Sequence, residues 1–156
     1  MQRESKVQHV FLVGAKSLGA YGRYETFVYK LTEQHQDKKK IKYHVACKAN
    51  GDGCMDETKV EGVTRINNHE FEFHNARCFK IDIPQIGAAQ AIYYDIAALK
   101  TCCKYIKEQK INHPIVYIMA CRIGPFASHF YKEIHKLGGS VYLNPDGECE
   151  IIWATR

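Results

Sequence analysis

A chain of 156 residues, 46% hydrophobic and 25% charged, has the length for one domain with a real core and is too short for two substantial ones. The excess of 22 Lys and Arg over 17 Asp and Glu leaves a formal net charge of +5, compatible with anionic partners and selective for none. The polar start MQRESKVQ leads straight into an apolar run, so no signal peptide is expected, and no stretch approaches the roughly 18–20 apolar residues of a membrane helix.

Val7–Val13, with Val10–Val13 as its apolar end, has the length and bounds of a buried parallel strand. A loop from Gly14 to Arg23 carries Gly14, Gly19 and Gly22. It leads near Tyr24 or Glu25 into a helix in which Phe27, Val28 and Leu31 recur at helical spacing, ending in the polar stretch Gln34–Lys40. The basic run Lys38–Lys40 reads as a solvated turn. Ile41–Cys47 alternates as a second strand, and Lys48–Asp56 is turn-rich, with Asn50-Gly51 and Asp52-Gly53. Lys59–Ile66 and Glu70–Phe73 read as short strands around the Asn67-Asn68 turn, and Ala76–Ile83 as a firmer one stopped by Pro84.

From Gly87 the period changes. Ala89, Ile92, Tyr93, Ile96, Leu99, Cys103 and Ile106 follow the rhythm of a long helix with one buried face. Ile115–Cys121 is an apolar run suited to a central parallel strand, and a helix through Phe126, Phe130, Ile134 and Leu137 follows, stopped by Gly138-Gly139. Ser140–Leu143 is the last strand, and Asn144–Gly147 the turn after it.

This order predicts an α/β fold, a Rossmann-like open and mostly parallel sheet with helices on both faces. Ligands of such sheets bind outside the C-terminal ends of the strands, which here gathers the loops Gly14–Arg23, Pro84–Gly87, Arg122–Pro125 and Asn144–Gly147. A strand running through a glycine loop into a helix presents free N–H groups to an anion. The spacing G-x4-G-x2-G, however, is neither the dinucleotide fingerprint nor a P-loop, and glycines that only permit a tight turn explain it equally well. Arg23 and Arg122 have the fork for phosphate or carboxylate, or are exposed loop residues. Tyr21 and Tyr24 are stacking or packing residues. Glu25 is a first-turn cap, or a base or hydroxyl-binding group, and Asp146 is equally double in meaning. Seven cysteines without a CxxC pair, several in apolar runs, fit a reduced, cytosolic chain of buried thiols. Their spacing to histidines matches no zinc pattern, so no metal is expected. Cys121 beside Arg122 lacks an orienting histidine, and no nucleophile or base is assigned.

Taken together, GAKSLGAYGRYETFV (Gly14–Val28), IPQIGAAQAIYYD (Ile83–Asp95), ACRIGPF (Ala120–Phe126) and YLNPDG (Tyr142–Gly147) resemble bacterial β1-4-rhamnosyltransferases, GT-B glycosyltransferases related to family 4. The resemblance spans nearly all of residues 7–147, and it implies the N-terminal, acceptor-side half of a two-domain enzyme of capsule or surface-polysaccharide synthesis. Such enzymes transfer rhamnose from dTDP-rhamnose to a lipid-linked saccharide at the cytoplasmic membrane face. The implied partners are that acceptor and a donor-binding C-terminal domain or chain, with peripheral membrane contact; nucleic acid is not among them. No cofactor is implied beyond the nucleotide-sugar donor. The implied cleft residues are Gly14, Gly19, Tyr21, Gly22, Arg23, Glu25, Gln90, Arg122 and Asp146.

The family carries Gly-Gly after the loop tyrosine where this chain has Gly22-Arg23. After Gly147 the family runs through a Glu-Trp, basic-aromatic stretch, where this chain reads ECEIIWATR. Residues 148–156 are therefore expected to form a divergent tail, with the donor domain absent, the isolated chain nearly inactive, and the bared cleft wall a surface for self-association. A free-standing Rossmann-like binding module without catalysis is the alternative. A nicotinamide-dependent reductase is disfavoured by the glycine spacing and by the lack of a convincing Tyr-x3-Lys pair.

Overall fold

Alternation along the first strand already fixes two cores. In β1 (Gln8–Val13) Phe11 and Val13 face one side of the sheet and Leu12 the other, and all three are buried. The computed structural model describes residues 6–18, 22–120 and 126–144. In chain order β1 is followed by α1 (Arg23–Gln34), β2 (Ile41–Lys48), a 3-10 turn at Glu57–Lys59, β3 (Thr64–Arg65), β4 (Glu70–Phe73) and β5 (Ala76–Ile81). Then come α2 (Gln90–Glu108), β6 (Ile115–Ile118), α3 (Ala127–Lys136) and β7 (Ser140–Leu143).

The seven strands form one sheet in the order β3-β4-β5-β2-β1-β6-β7. From β5 to β7 every pairing is parallel, while β3 and β4 add an antiparallel edge. This is the expected Rossmann-like open sheet. β1 lies inside the sheet and pairs Val10 with Tyr43 of β2 on one side and with Ile115 of β6 on the other.

Helices cover both faces. α2 and α3 close one core through Tyr94, Ala98, Leu99, Cys102, Ile106, Phe130 and Ile134, packed on Phe11, Val13, Ala46 and Val116. Val28 of α1 closes the other, against Leu12, Val45, Cys47 and Cys78, with Phe71 and Phe73 of β4 extending it. Each fully buried Leu, Ile or Phe contributes about 1.5–3 kcal/mol relative to leaving it in water. Cys47, Cys78, Cys102 and Cys103 are part of these cores, whereas Cys54 is exposed.

Two strands end earlier than expected, β5 at Ile81 rather than Ile83 and β6 at Ile118 rather than Cys121, and the elements depart further in three places. Lys59–Ile66 is strand only at Thr64–Arg65, because Asp56 turns the preceding chain by accepting the Thr58 N–H at 3.1 Å and so forms the 3-10 turn. In α1 the expected stripe is rotated, with Val28 buried but Phe27 45% exposed. In α2 the expected Leu99, Cys103 and Ile106 are buried, but Tyr94, Asp95, Ala98 and Cys102 are buried with them, while Ile92 and Tyr93 point out. Periodicity locates a helix more reliably than its inward face when a polar residue such as Asp95 is buried.

Candidate functional site

The crossover through α1 leads from β1 to β2, while β6 lies on the opposite side of β1, so the topological switch point, where ligands of such sheets bind, falls at the C-terminal ends of β1 and β6. Gly14 ends β1 at that point. Its φ of +117° suits glycine, and a Cβ there would stand 2.6 Å from the backbone nitrogen of Ala120, beyond the end of β6. Glycine at this position lets the two strand ends meet, and the Met119 N–H donates to the Val13 carbonyl at 2.8 Å beside it.

The loop after Gly14 is held from several directions. The Lys16 N–H donates to Glu25 Oε1 at 2.9 Å, and the Lys16 carbonyl accepts from the Lys48 N–H at 2.8 Å. Tyr94 of α2 places its hydroxyl between two strand ends, its one proton shared between the carbonyls of Ala15 at 2.6 Å and Ala46 at 2.9 Å. Burial pushes this phenol well above 10, and the nearby Cys47, Asp95 and Glu25 push the same way, so Tyr94 stays a neutral donor. Asn50 clasps Ile83 in both directions, at 2.8 and 2.9 Å, and thereby ties the loop after β2 to the end of β5.

Lys16 and Lys48 bring positive charge to the same edge. Lys16 Nζ meets Asp52 at 2.9 Å, and this cation holds the exposed Asp52 carboxyl below the usual carboxylate range. Lys48 Nζ stands 5.7 Å from the Tyr94 ring centroid, over its face.

Among the residues expected at the site, Gly14, Gly22 and Glu25 shape one loop–helix unit. Gly22, at φ +104°, precedes α1, and a Cβ on it would collide with Glu25 Oε2. Glu25 is buried in the first turn, where the helix dipole favours a carboxylate. Arg23 is exposed, its guanidinium 5.9 Å from the Tyr24 ring centroid. Gln90 is half-buried at the start of α2, one turn before Tyr94 on the same side of the helix. Gly19, Tyr21, Arg122 and Asp146 lie outside the described residues, as do Cys121 and the tail 148–156.

Tyr94, Asn50, Lys16 and Lys48 escape the sequence reading. Asn50-Gly51 signals a turn but not which strand end it fastens, and Tyr94 looks like any helix aromatic until its hydroxyl is seen to span two carbonyls. The buried thiols offer little reactivity: burial raises Cys78 and Cys102 well above the usual range and Cys103 to about 11. Among the described residues no three His, Cys, Asp or Glu side chains gather to hold a metal.

The model of a domain of unknown function, DUF1972, matches residues 7–154, from the first strand past the last. The chain belongs to the DUF1972 family. No curated protein matches this DUF1972 chain. No described helix of the domain is long and apolar enough to cross a membrane.

Proposed function

We propose that this DUF1972 domain is the acceptor-side half of a rhamnosyltransferase, contributing one wall of a cleft in which rhamnose passes from dTDP-rhamnose to a lipid-linked saccharide of a surface polysaccharide. The observation that carries the reading is the β1–loop–α1 unit at the switch point, in a domain that occurs in glycosyltransferase-associated proteins. The chemistry of the loop favours the acceptor side. The electropositive end of α1 already holds the Glu25 carboxylate, which would repel a diphosphate but accepts hydrogen bonds from sugar hydroxyls once a ligand competes for it. Gln90, with both donors and an acceptor, suits the same ligand class. A donor-binding domain then supplies the pocket for the nucleotide and the charge stabilisation of the transition state.

The chain by itself is expected to transfer little or no rhamnose, and to regain transfer when co-expressed with a matching donor-binding domain. An assay with dTDP-rhamnose and lipid-linked acceptor, run with and without that domain, tests this. Robust transfer by the 156-residue chain alone, or none in the reconstituted pair, contradicts it. The second reading, a free-standing binding module, is favoured by the presence of a core on each face of the sheet within one chain. Ligand binding that persists without any transfer in the reconstituted pair would select it.

A further inference from the structure

We propose that the stacked pair His9–His44 is an acid-sensitive lock, holding the C-terminal half of α2 on strands β1 and β2 while both rings are neutral. His9 Nδ1 and His44 Nε2 are 2.8 Å apart, so one ring donates and the other accepts. His44 is 2% exposed and sits in an aromatic stack, 5.1 Å from the His9 ring and 4.4 Å from Phe11, with planes inclined by 27° and 12°. Tyr105 of α2 closes over it at 5.0 Å and also meets Phe11 edge-on at 6.1 Å. Three elements therefore converge on one imidazole, in the body of the sheet rather than at the strand ends of the candidate site.

The surroundings oppose a second proton. Lys42, on the same strand as His44, and Arg77 of β5 are the cations facing the pair, and Arg77 lies over the Tyr105 ring at 5.2 Å. The carboxylates nearby are already engaged: Glu70 of β4 binds Arg77 at 2.8 and 3.2 Å, and Glu72 binds Lys42 at 3.3 Å. Burial first, then the charges of His9, Lys42 and Arg77, bring His44 from 6.5 down to about 3, and burial followed by Lys42 lowers His9. The unfolded chain takes up protons near pH 6.5 where the folded pair refuses them, so the stabilisation is complete above pH 6.5 and is lost as the pH falls toward 3.

α2 runs as one rod from Tyr105 in this lock to Tyr94 at the strand ends of the site, about 16 Å at 1.5 Å per residue. Releasing its far end in acid would loosen the Tyr94 tie as well.

Urea unfolding of the full chain at pH 7.5, 6.5, 5.5 and 5.0 tests the lock, with His44→Phe retaining the stack but removing the proton-binding nitrogens. In the native chain the unfolding constant is expected to rise below pH 6.5 by up to about tenfold per pH unit for each excluded proton. In His44→Phe the slope should fall by close to one proton, whereas His74→Asn, at a half-buried histidine on the other face, should keep the contribution of the pair. Side-chain nitrogen NMR of the native chain is the second readout, and it holds even where His44→Phe does not fold. A neutral His44 at pH 5 supports the lock; an imidazolium at pH 6, or equal slopes in native chain and His44→Phe, overturns it.

Discussion

The two faces of the sheet are covered unequally. On one, α2 and α3 lie side by side, and Val116, Ala98, Leu99, Ile106 and Ile134 are at or near zero exposure. On the other, α1 is the only helix among the described residues, and beside it an open apolar groove of about 350 Å³ runs over β1, β6 and β7. Phe27, Tyr117 and Tyr142 line it, with Phe27 45% and Tyr142 56% exposed. Topology produces the difference. The crossovers β5–α2–β6 and β6–α3–β7 step in the same direction along the sheet, whereas β1–α1–β2 steps in the opposite one. With right-handed connections, the first two helices share a face and α1 stands alone on the other.

Substitutions separate the closed side, with its tied strand ends, from the open one. The largest effect is expected for Gly14→Ala, where a positive φ coincides with a backbone collision at Ala120; a loss of about 3 kcal/mol or more should appear as a lower urea midpoint at unchanged slope. Tyr94→Phe leaves the Ala15 and Ala46 carbonyls without their shared donor and should cost about 1–3 kcal/mol. Asn50→Ala, which opens the clasp on Ile83, should cost about 1–2 kcal/mol and raise amide exchange at Ile83 before that of β1. The smallest change is expected for Phe27→Ser on the open face, within about 0.5 kcal/mol. A loss there as large as that of Tyr94→Phe would mean that the groove is covered in solution, and the contrast between the faces would fail.

Much of this architecture is legible in the sequence because its signals are local. Apolar strand runs, the change of period at Gly87 and the glycine stop at Gly138 each mark an element without reference to the rest of the chain. The site is less legible because its ties are long-range. Tyr94 reaches a carbonyl 79 residues earlier and another 48 residues earlier, and no periodicity encodes such a reach. Asn50 spans 33 residues to Ile83 in the same way. Glu25 is visible in the sequence as a first-turn carboxylate, but only the fold shows that its oxygen is taken by the Lys16 amide. The outward turn of Phe27 and Ile92 has a similar origin, since which flank of a helix is covered depends on the neighbours the crossovers deliver.

The place of β1 inside the sheet, between β2 and β6, also bears on how the chain is made. Its pairing with β2 needs only residues up to Lys48, but its other edge stays open until β6 is complete at Ile118, roughly 70 residues later. At a synthesis rate of about 5–20 residues per second, Phe11 and Val13 wait several seconds on the ribosome for Val116 and Ile118. The first strand to be made, paired on both edges in the finished protein, is thus the one that spends longest half-paired during its birth.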